Sequence, residues 1–292
     1  MAIRKLYFRA RSGQQIPLDG TSGIYAADLS GLGLSLTPSY ADLGRGFFTP
    51  VSRETEPQSA VAFTLVFTRN PYAEYTRLIN WLAAAESLQL VYQPAGGSVY
   101  YRDVDVNFIQ KGELTAVGWL ECPSSFLALT PWYNPVPVEI GLGQYKPGEN
   151  KQYAYRYSAN LRYGADSTAS MSGTISGGGH IPSAMSLTYR GAITNPKIRL
   201  TGNISGKTYG ICSVETVLVP SDTLVLSTRY NNSYVKRISA SGEETDLLDA
   251  LDLSTDPFFR VPITEPCTIS VEAGAVITGR ADLLIYYYYR SV

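Results

Sequence analysis

The chain has 292 residues, enough for two domains of roughly 100–200 residues, each able to bury its own core. Hydrophobic residues make up 45% and charged residues 17%, with 26 Gly, 17 Pro and 22 Tyr, a mixture that suits turn-rich, tyrosine-rich β structure and counts against a helical bundle. The formal net charge of −1 supplies no positive field, which excludes nucleic-acid binding through bulk charge, and no stretch approaches the roughly 20 apolar residues of a membrane-spanning helix.

In chain order, the start Met1-Ala2-Ile3-Arg4-Lys5 lacks the apolar run of a signal peptide, so synthesis and folding in a cytoplasm are expected. Residues 5–10 read as a strand with Leu6 and Phe8 on one face, followed by a loop through Ser12, Gly13, Asp19, Gly20, Ser22 and Gly23. The runs 32–37 and 47–51 flank a Gly44-Arg45-Gly46 tip and predict a long hairpin. Its Leu32, Leu34, Leu36, Phe47 and Phe48 exceed what a solvated loop needs, while Pro38, Pro50 and Pro57 block pairing at its edges. Two readings stand at this point: an arm that packs on a neighbouring copy, and a flap folded back on its own core.

Residues 60–69 form a cleaner strand, with Val61, Phe63, Leu65 and Phe67 alternating. Asn70-Pro71 then predicts an N-cap with proline in the first helical turn, and Tyr75, Leu78, Ile79 and Leu82 line one stripe of an amphipathic helix lying on a sheet. The runs 88–93, 98–109 and 114–122 read as antiparallel strands separated by the turns Pro94-Ala95-Gly96-Gly97 and Lys111-Gly112, with Val104, Val106 and Phe108 on the covered face. In Asn134-Pro135-Val136-Pro137 the alternate prolines exclude helix and central strand, which places a domain boundary there: residues 1–134 and 135–292.

Beyond the boundary, 138–142 and 153–163 carry strand composition, the second with Tyr153, Tyr155 and Tyr157 on one face as a half-buried surface or a sugar-stacking platform. Residues 166–176 read as a small, polar loop and Gly177-Gly178-Gly179-His180 as a turn. Short strands at 185–189, 197–201, 207–214, 223–227, 233–238, 267–272 and 281–289 recur at the intervals of a jelly-roll or galectin-like sandwich. A helical turn is expected within 246–253, where Asp246, Asp249 and Asp252 lack the glycine-centred loop of a calcium site. The last strand, 283–289, is apolar on both faces and is expected to be covered on both.

Several elements stand in a telling order: Lys5-Leu6-Tyr7-Phe8, Gly31-Leu32-Gly33, the helix with its Trp81-Leu82, the strand 101–106 and the exit Leu129-Thr130-Pro131-Trp132-Tyr133. Their order and spacing over residues 1 to about 135 resemble the distal tail proteins of siphophages and of related prophage or tailocin particles. The resemblance implies an N-terminal domain that forms a homo-oligomeric ring, a hexamer, joining the tail tube to the tip, with a β-sandwich domain after it. It implies as partners the tail tube protein, the tail-tip hub protein, and receptor-binding proteins or host glycans, at the tail tip of a virion assembled in the bacterial cytoplasm.

The expected fold is therefore mainly β: an N-terminal β-sandwich-like domain with one α-helix and an extended hairpin arm, then a C-terminal jelly-roll or galectin-like β-sandwich. Leu34, Leu36, Phe47 and Phe48 are the candidate subunit contacts, and Tyr153, Tyr155 and Tyr157 the candidate glycan contacts. No catalytic, cofactor or metal residue is nominated. His180 is the sole histidine, Cys122, Cys212 and Cys267 are widely spaced and expected to be buried thiols, and no G-x-S-x-G or phosphate-cradling glycine loop occurs. A carbohydrate-binding module for host attachment is the alternative function; a β-sandwich hydrolase would need two carboxylates distant in sequence.

Overall fold

A computed structural model describes residues 4–34, 39–52, 58–142, 170–273 and 278–292. The chain divides into two compact units, Met1–Asn134 together with Tyr289–Val292, and Pro135–Tyr288. Its last four residues thus return to the first unit.

The first unit contains β1 (Arg4–Ala10), β2 (Gln15–Pro17), β3 (Ile24–Ser30), β4 (Ser39–Gly44), β5 (Phe47–Ser52), β6 (Ala60–Phe67), α1 (Pro71–Ala84), β7 (Leu88–Pro94), β8 (Tyr100–Ile109) and β9 (Leu120–Ala128). Seven strands pair antiparallel in the order β2-β1-β7-β8-β9-β6-β3. The sheet then closes. Leu18 N–H donates to the Leu6 carbonyl at 2.8 Å, and the Leu18 carbonyl accepts from Ala26 N–H at 3.1 Å, which ties the β3 edge back to β1. Inside, Phe126 packs 5.0 Å from Phe8 and 5.1 Å from Phe63 between ring centroids, and Trp132, Leu65 and Leu90 are fully buried around them.

Helix α1 closes one side of this core as its periodicity demands: Leu78 is fully buried, while Tyr75, Trp81 and Leu82 pack against the cluster. Its start differs from expectation. Asn70 precedes a proline, which disfavours the right-handed helical region, and it adopts the left-handed conformation instead (φ 42°). Its side chain makes no capping bond, and the first helical bond runs from Glu74 N–H to the Asn70 carbonyl.

Strand β10 (Trp132–Leu142) corrects the reading of the proline run, for it passes straight through Pro135 and Pro137. Residues two apart in a strand point their N–H groups to the same edge, so these prolines remove donors from one edge only. The strand pairs Tyr133 with Tyr101 before them and Gly141 with Ser172 after them, and it also pairs with the strand Thr278–Tyr289. A second correction concerns 114–122: β9 begins only at Leu120, because Thr115 forms a turn in which its N–H donates to the Trp119 carbonyl and its hydroxyl accepts from Trp119 N–H.

The second unit adds β11 (Ser170–Ile175), β12 (Ile181–Thr194), β13 (Lys197–Gly202), β14 (Thr208–Ser213), β15 (Val217–Leu218), β16 (Thr223–Arg229), β17 (Asn232–Ile238), β18 (Glu244–Asp246), a 3-10 turn at Leu248–Ala250, β19 (Cys267–Glu272) and β20 (Thr278–Tyr289). Two antiparallel sheets result, β20-β12-β16-β17-β18 and β11-β19-β13-β14. Alternate residues of each are buried, among them Met185, Leu187, Leu226 and Ile285 in the first and Ile198, Leu200, Cys212 and Ile269 in the second. This is a β-sandwich. Within 166–176, read as a loop, lies strand β11, and Met171 and Ile175 supply its only large apolar contacts. Strand β20 buries Ala281, Leu283, Ile285 and Tyr287 on one face, while on the other Tyr288 is buried and Leu284 and Tyr286 are half-buried.

One carboxylate pins the β13–β14 connection. Glu265, only 6% exposed, accepts the N–H groups of Ile204 and Ser205 at 2.9 Å each, the Ser205 hydroxyl at 2.6 Å and the Tyr209 hydroxyl. Donors that favour the ionised form, Ser205 and Tyr209 first, pull its pKa from 4.5 down to about 2.

Two measurements check this packing. Phe126→Ala should destabilise the protein by about 3–5 kcal/mol in urea unfolding, because a fully buried ring leaves a cavity, whereas Val117→Ala, at an exposed position, should stay within about 0.5 kcal/mol. Since the folded-state pKa of Glu265 is depressed, its contribution is complete above pH 4.5 and is lost as pH falls toward about 2. The difference in melting temperature between wild type and Glu265→Gln should therefore shrink over that acid window and be constant above it.

Candidate functional site

The strands β4 and β5 form a hairpin that joins no other sheet among the described residues. Gly44 pairs with Phe47 across a two-residue turn, Arg45-Gly46, in which both residues have positive φ (53° and 81°), the geometry that matches strand twist. Asp42 Oδ1 accepts the Gly44 N–H at 2.7 Å and stiffens the tip. The hairpin's root is equally defined. Gly31 has φ 85°, and a Cβ there would lie 2.1 Å from the Ala60 carbonyl oxygen, so only glycine allows the chain to leave β3 at this point. Val292 N–H donates to the adjacent Leu32 carbonyl at 3.1 Å.

The arm's surface is apolar on both sides. Phe47 and Phe48 are consecutive in β5, so they face opposite ways, and they are 69% and 63% exposed. Leu34, Tyr40, Leu43 and Val51 are each more than half exposed as well. A two-stranded ribbon has no interior in which to hide such side chains.

A second apolar strip lies on the β8–β9 connection: Val106, Phe108, Leu114, Val117 and Trp119 are exposed. This corrects the placement of Val106 and Phe108 on a covered face. Pairing with β7 stops at Val104 opposite Leu88, and β8 bulges between Val106 and Phe108, so its outer half projects beyond the covered sheet. Lys111 Nζ anchors the connection to α1, 4.8 Å from the Tyr72 ring and 5.6 Å from the Tyr75 ring.

Of the nominated contacts, Leu34, Phe47 and Phe48 belong to this exposed surface, while Leu36 lies outside the described residues, as do Tyr153, Tyr155 and Tyr157. Tyr40, Leu43, Val51 and the 106–119 strip escaped sequence reasoning. Exposed and buried strands share the same alternation, so only the missing partner strand reveals them.

Among the described residues no group of three or more His, Cys, Asp or Glu is placed to hold a metal ion, and no helix is long and apolar enough to cross a membrane. Cys122, Cys212 and Cys267 are buried thiols; burial pushes Cys212 up to about 12 and Cys267 to about 11, which leaves them unreactive.

A model of the distal tail protein N-terminal domain matches residues 5–129. The first unit is a distal tail protein N-terminal domain. The arm lies inside the matched segment, as do α1 and the 106–119 strip. A chain of the phage P2 baseplate in its activated conformation with calcium is similar to the whole protein, with a TM-score of 0.68, 17% identity, and coverage of 99% of this chain and 100% of that one. The same baseplate with strontium gives the same values. The Dit protein of phage SPP1, whose description is of a hub adsorption apparatus, has a TM-score of 0.59 and 10% identity over 97% of this chain and 98% of its own. At these identities the likeness establishes a shared fold through the distal tail domain and the sandwich that follows it. No curated protein matches by sequence.

Proposed function

We propose that the protein is a structural component of a phage-like tail tip, a ring connecting the tail tube to the baseplate or receptor-binding apparatus, and that the arm makes the contact between neighbouring copies. The observation that carries this reading is a distal tail domain bearing a detached hairpin with bulky apolar side chains on both faces. Burying one Phe is worth about 1.5–3 kcal/mol, so Phe47 and Phe48 are the anchors, with Leu34 and Leu36 as further candidate contacts. A head-to-tail contact of this kind, repeated around an axis, closes a ring. The family resemblance supports a ring of six copies. Its neighbours are the tail tube and tail-tip hub proteins, with receptor-binding proteins beyond, at the tip of a virion assembled in the bacterial cytoplasm.

Light scattering and negative-stain images of the full chain test the ring. Wild type should give a closed oligomer, and deletion of residues 42–46 or a Phe47→Ser/Phe48→Ser pair should give a folded monomer with an unchanged circular dichroism spectrum. A monomer at high concentration with no ring in intact particles would refute the ring, and a deletion that unfolds the domain would return the arm to its own core. The same reading assigns no catalysis, cofactor or structural metal. EDTA should leave the melting temperature unchanged, since losing a structural metal removes several kcal/mol of folding energy. Stoichiometric metal in the purified protein, or polysaccharide cleavage abolished by changing one Asp or Glu, contradicts it.

A further inference from the structure

A head-to-tail contact joins two different surfaces of each copy, so the arm requires a receiving surface elsewhere on the same chain. Of the large apolar side chains exposed on the first unit outside the arm, all but Leu129 lie on the β8–β9 connection or, as Tyr72 does, against it. The connection gathers them closely. Leu114 bridges to Leu120, and Thr115 N–H donates to the Trp119 carbonyl at 2.8 Å, which brings Leu114 beside Trp119. The Trp119 ring in turn meets Tyr25 edge-on at 6.4 Å, so its position is fixed by the sheet beneath.

The strip is rimmed by carboxylates. Asp105, Glu113 and Glu121 are exposed, and none of them makes an ion pair among the described residues. A Cβ on Gly112 would lie 2.6 Å from the Glu121 carbonyl oxygen, so Glu113 and Glu121 leave adjacent backbone. The one cation of the connection, Lys111, is held over the Tyr72 and Tyr75 rings. The arm carries the complementary charge at its tip: Arg45 is exposed and makes no ion pair among the described residues, while Asp42, the one acid of β4 and β5, accepts the Gly44 N–H. Tyr40, Leu43, Phe47, Phe48 and Val51 expose on the order of 600 Å² of apolar surface, most of the roughly 800 Å² per partner that a stable contact buries.

We propose that the arm of one copy docks on the 106–119 strip of its neighbour, its rings against Val106, Phe108, Leu114 and Trp119 and its Arg45 between Glu113 and Glu121. The inference rests on the ring reading and names the surface that completes it. Docking removes apolar surface from water on both copies, and the guanidinium gains charge-assisted partners that its own subunit does not offer. An arm paired with a second arm would be a two-fold contact, which closes at a dimer and builds no ring.

Light scattering of the full chain tests the pairing, with the wild-type ring as reference. A Phe108→Ser/Leu114→Ser pair should give a monomer with an unchanged circular dichroism spectrum, as the Phe47→Ser/Phe48→Ser pair should. Mixed at high concentration, these two monomers should form a one-to-one dimer that grows no further, because one supplies an intact arm and the other an intact strip. Glu113→Arg/Glu121→Arg should raise the concentration needed for the ring about tenfold or more, and Arg45→Glu in the same chain should restore it. That charge reversal decides the matter if the Phe108 and Leu114 variant fails to fold. Where the ring forms only in particles, loss of the variant chain from them is the readout. A ring that persists in the folded strip variant, two monomers that do not combine, or a charge reversal that Arg45→Glu does not rescue overturns the proposal and leaves the ring reading standing. A wild type that forms no ring in solution or in intact particles removes both.

Discussion

The two hydrogen bonds of Leu18, one to β1 and one from β3, are the constraint on which the first unit depends. Without them seven strands would form an open sheet with two raw edges. With them the sheet returns on itself, its inward side chains converge on one volume, and the aromatic trio of Phe8, Phe63 and Phe126 can fill it. Helix α1 then needs only one apolar stripe, because the closed sheet leaves it a single patch to cover. Closure also explains why the hairpin stands apart: β3 is tied to Leu18 and β6, so the arm that leaves at Gly31 has no free edge beside its root to join.

The second unit is held by different means. Its two sheets are joined through β10, which pairs with β11 of one and β20 of the other, and their apolar alternation supplies the core, with polar fixtures at the ends. Glu265 collects four donors around the β13–β14 connection, and Asp222, buried, takes the Arg237 guanidinium at 2.8 Å together with the Val219 N–H at 3.2 Å. Each is a buried carboxylate that gathers loop N–H groups together with one strand side chain, Tyr209 of β14 or Arg237 of β17, so the loops are ordered by electrostatics where no hydrophobic face is available to order them.

Much of this was legible in the residues because the physics was local. The alternation of Val61, Phe63, Leu65 and Phe67 against one buried face, and the stripe of α1, are periodicities that a single chain displays. The turn Arg45-Gly46 was equally readable. What failed depended on what lies across from a residue. The alternate prolines of β10 are tolerated because the N–H groups they lack all belong to one edge, and Met171 and Ile175 mark a strand too sparsely for composition to find it. Val106 and Phe108 look like core residues until the strand that would cover them is seen to end at Leu88. The arm's Phe47 and Phe48 stood out because the apolar content of that stretch exceeds what a solvated loop needs, whereas Tyr40 and Leu43 became visible only with the hairpin's separation from the rest.

The detachment of β4 and β5 also bears on how such a protein changes over generations. Substitutions in the closed sheet disturb shared packing, so each must be compensated by its neighbours. Among the described residues β4 and β5 pair only with each other, so a substitution there leaves the pairing of the closed sheet intact, and the glycine at the arm's root keeps its departure point constant. Surface chemistry on the arm is thereby free to drift without passing through an unstable intermediate.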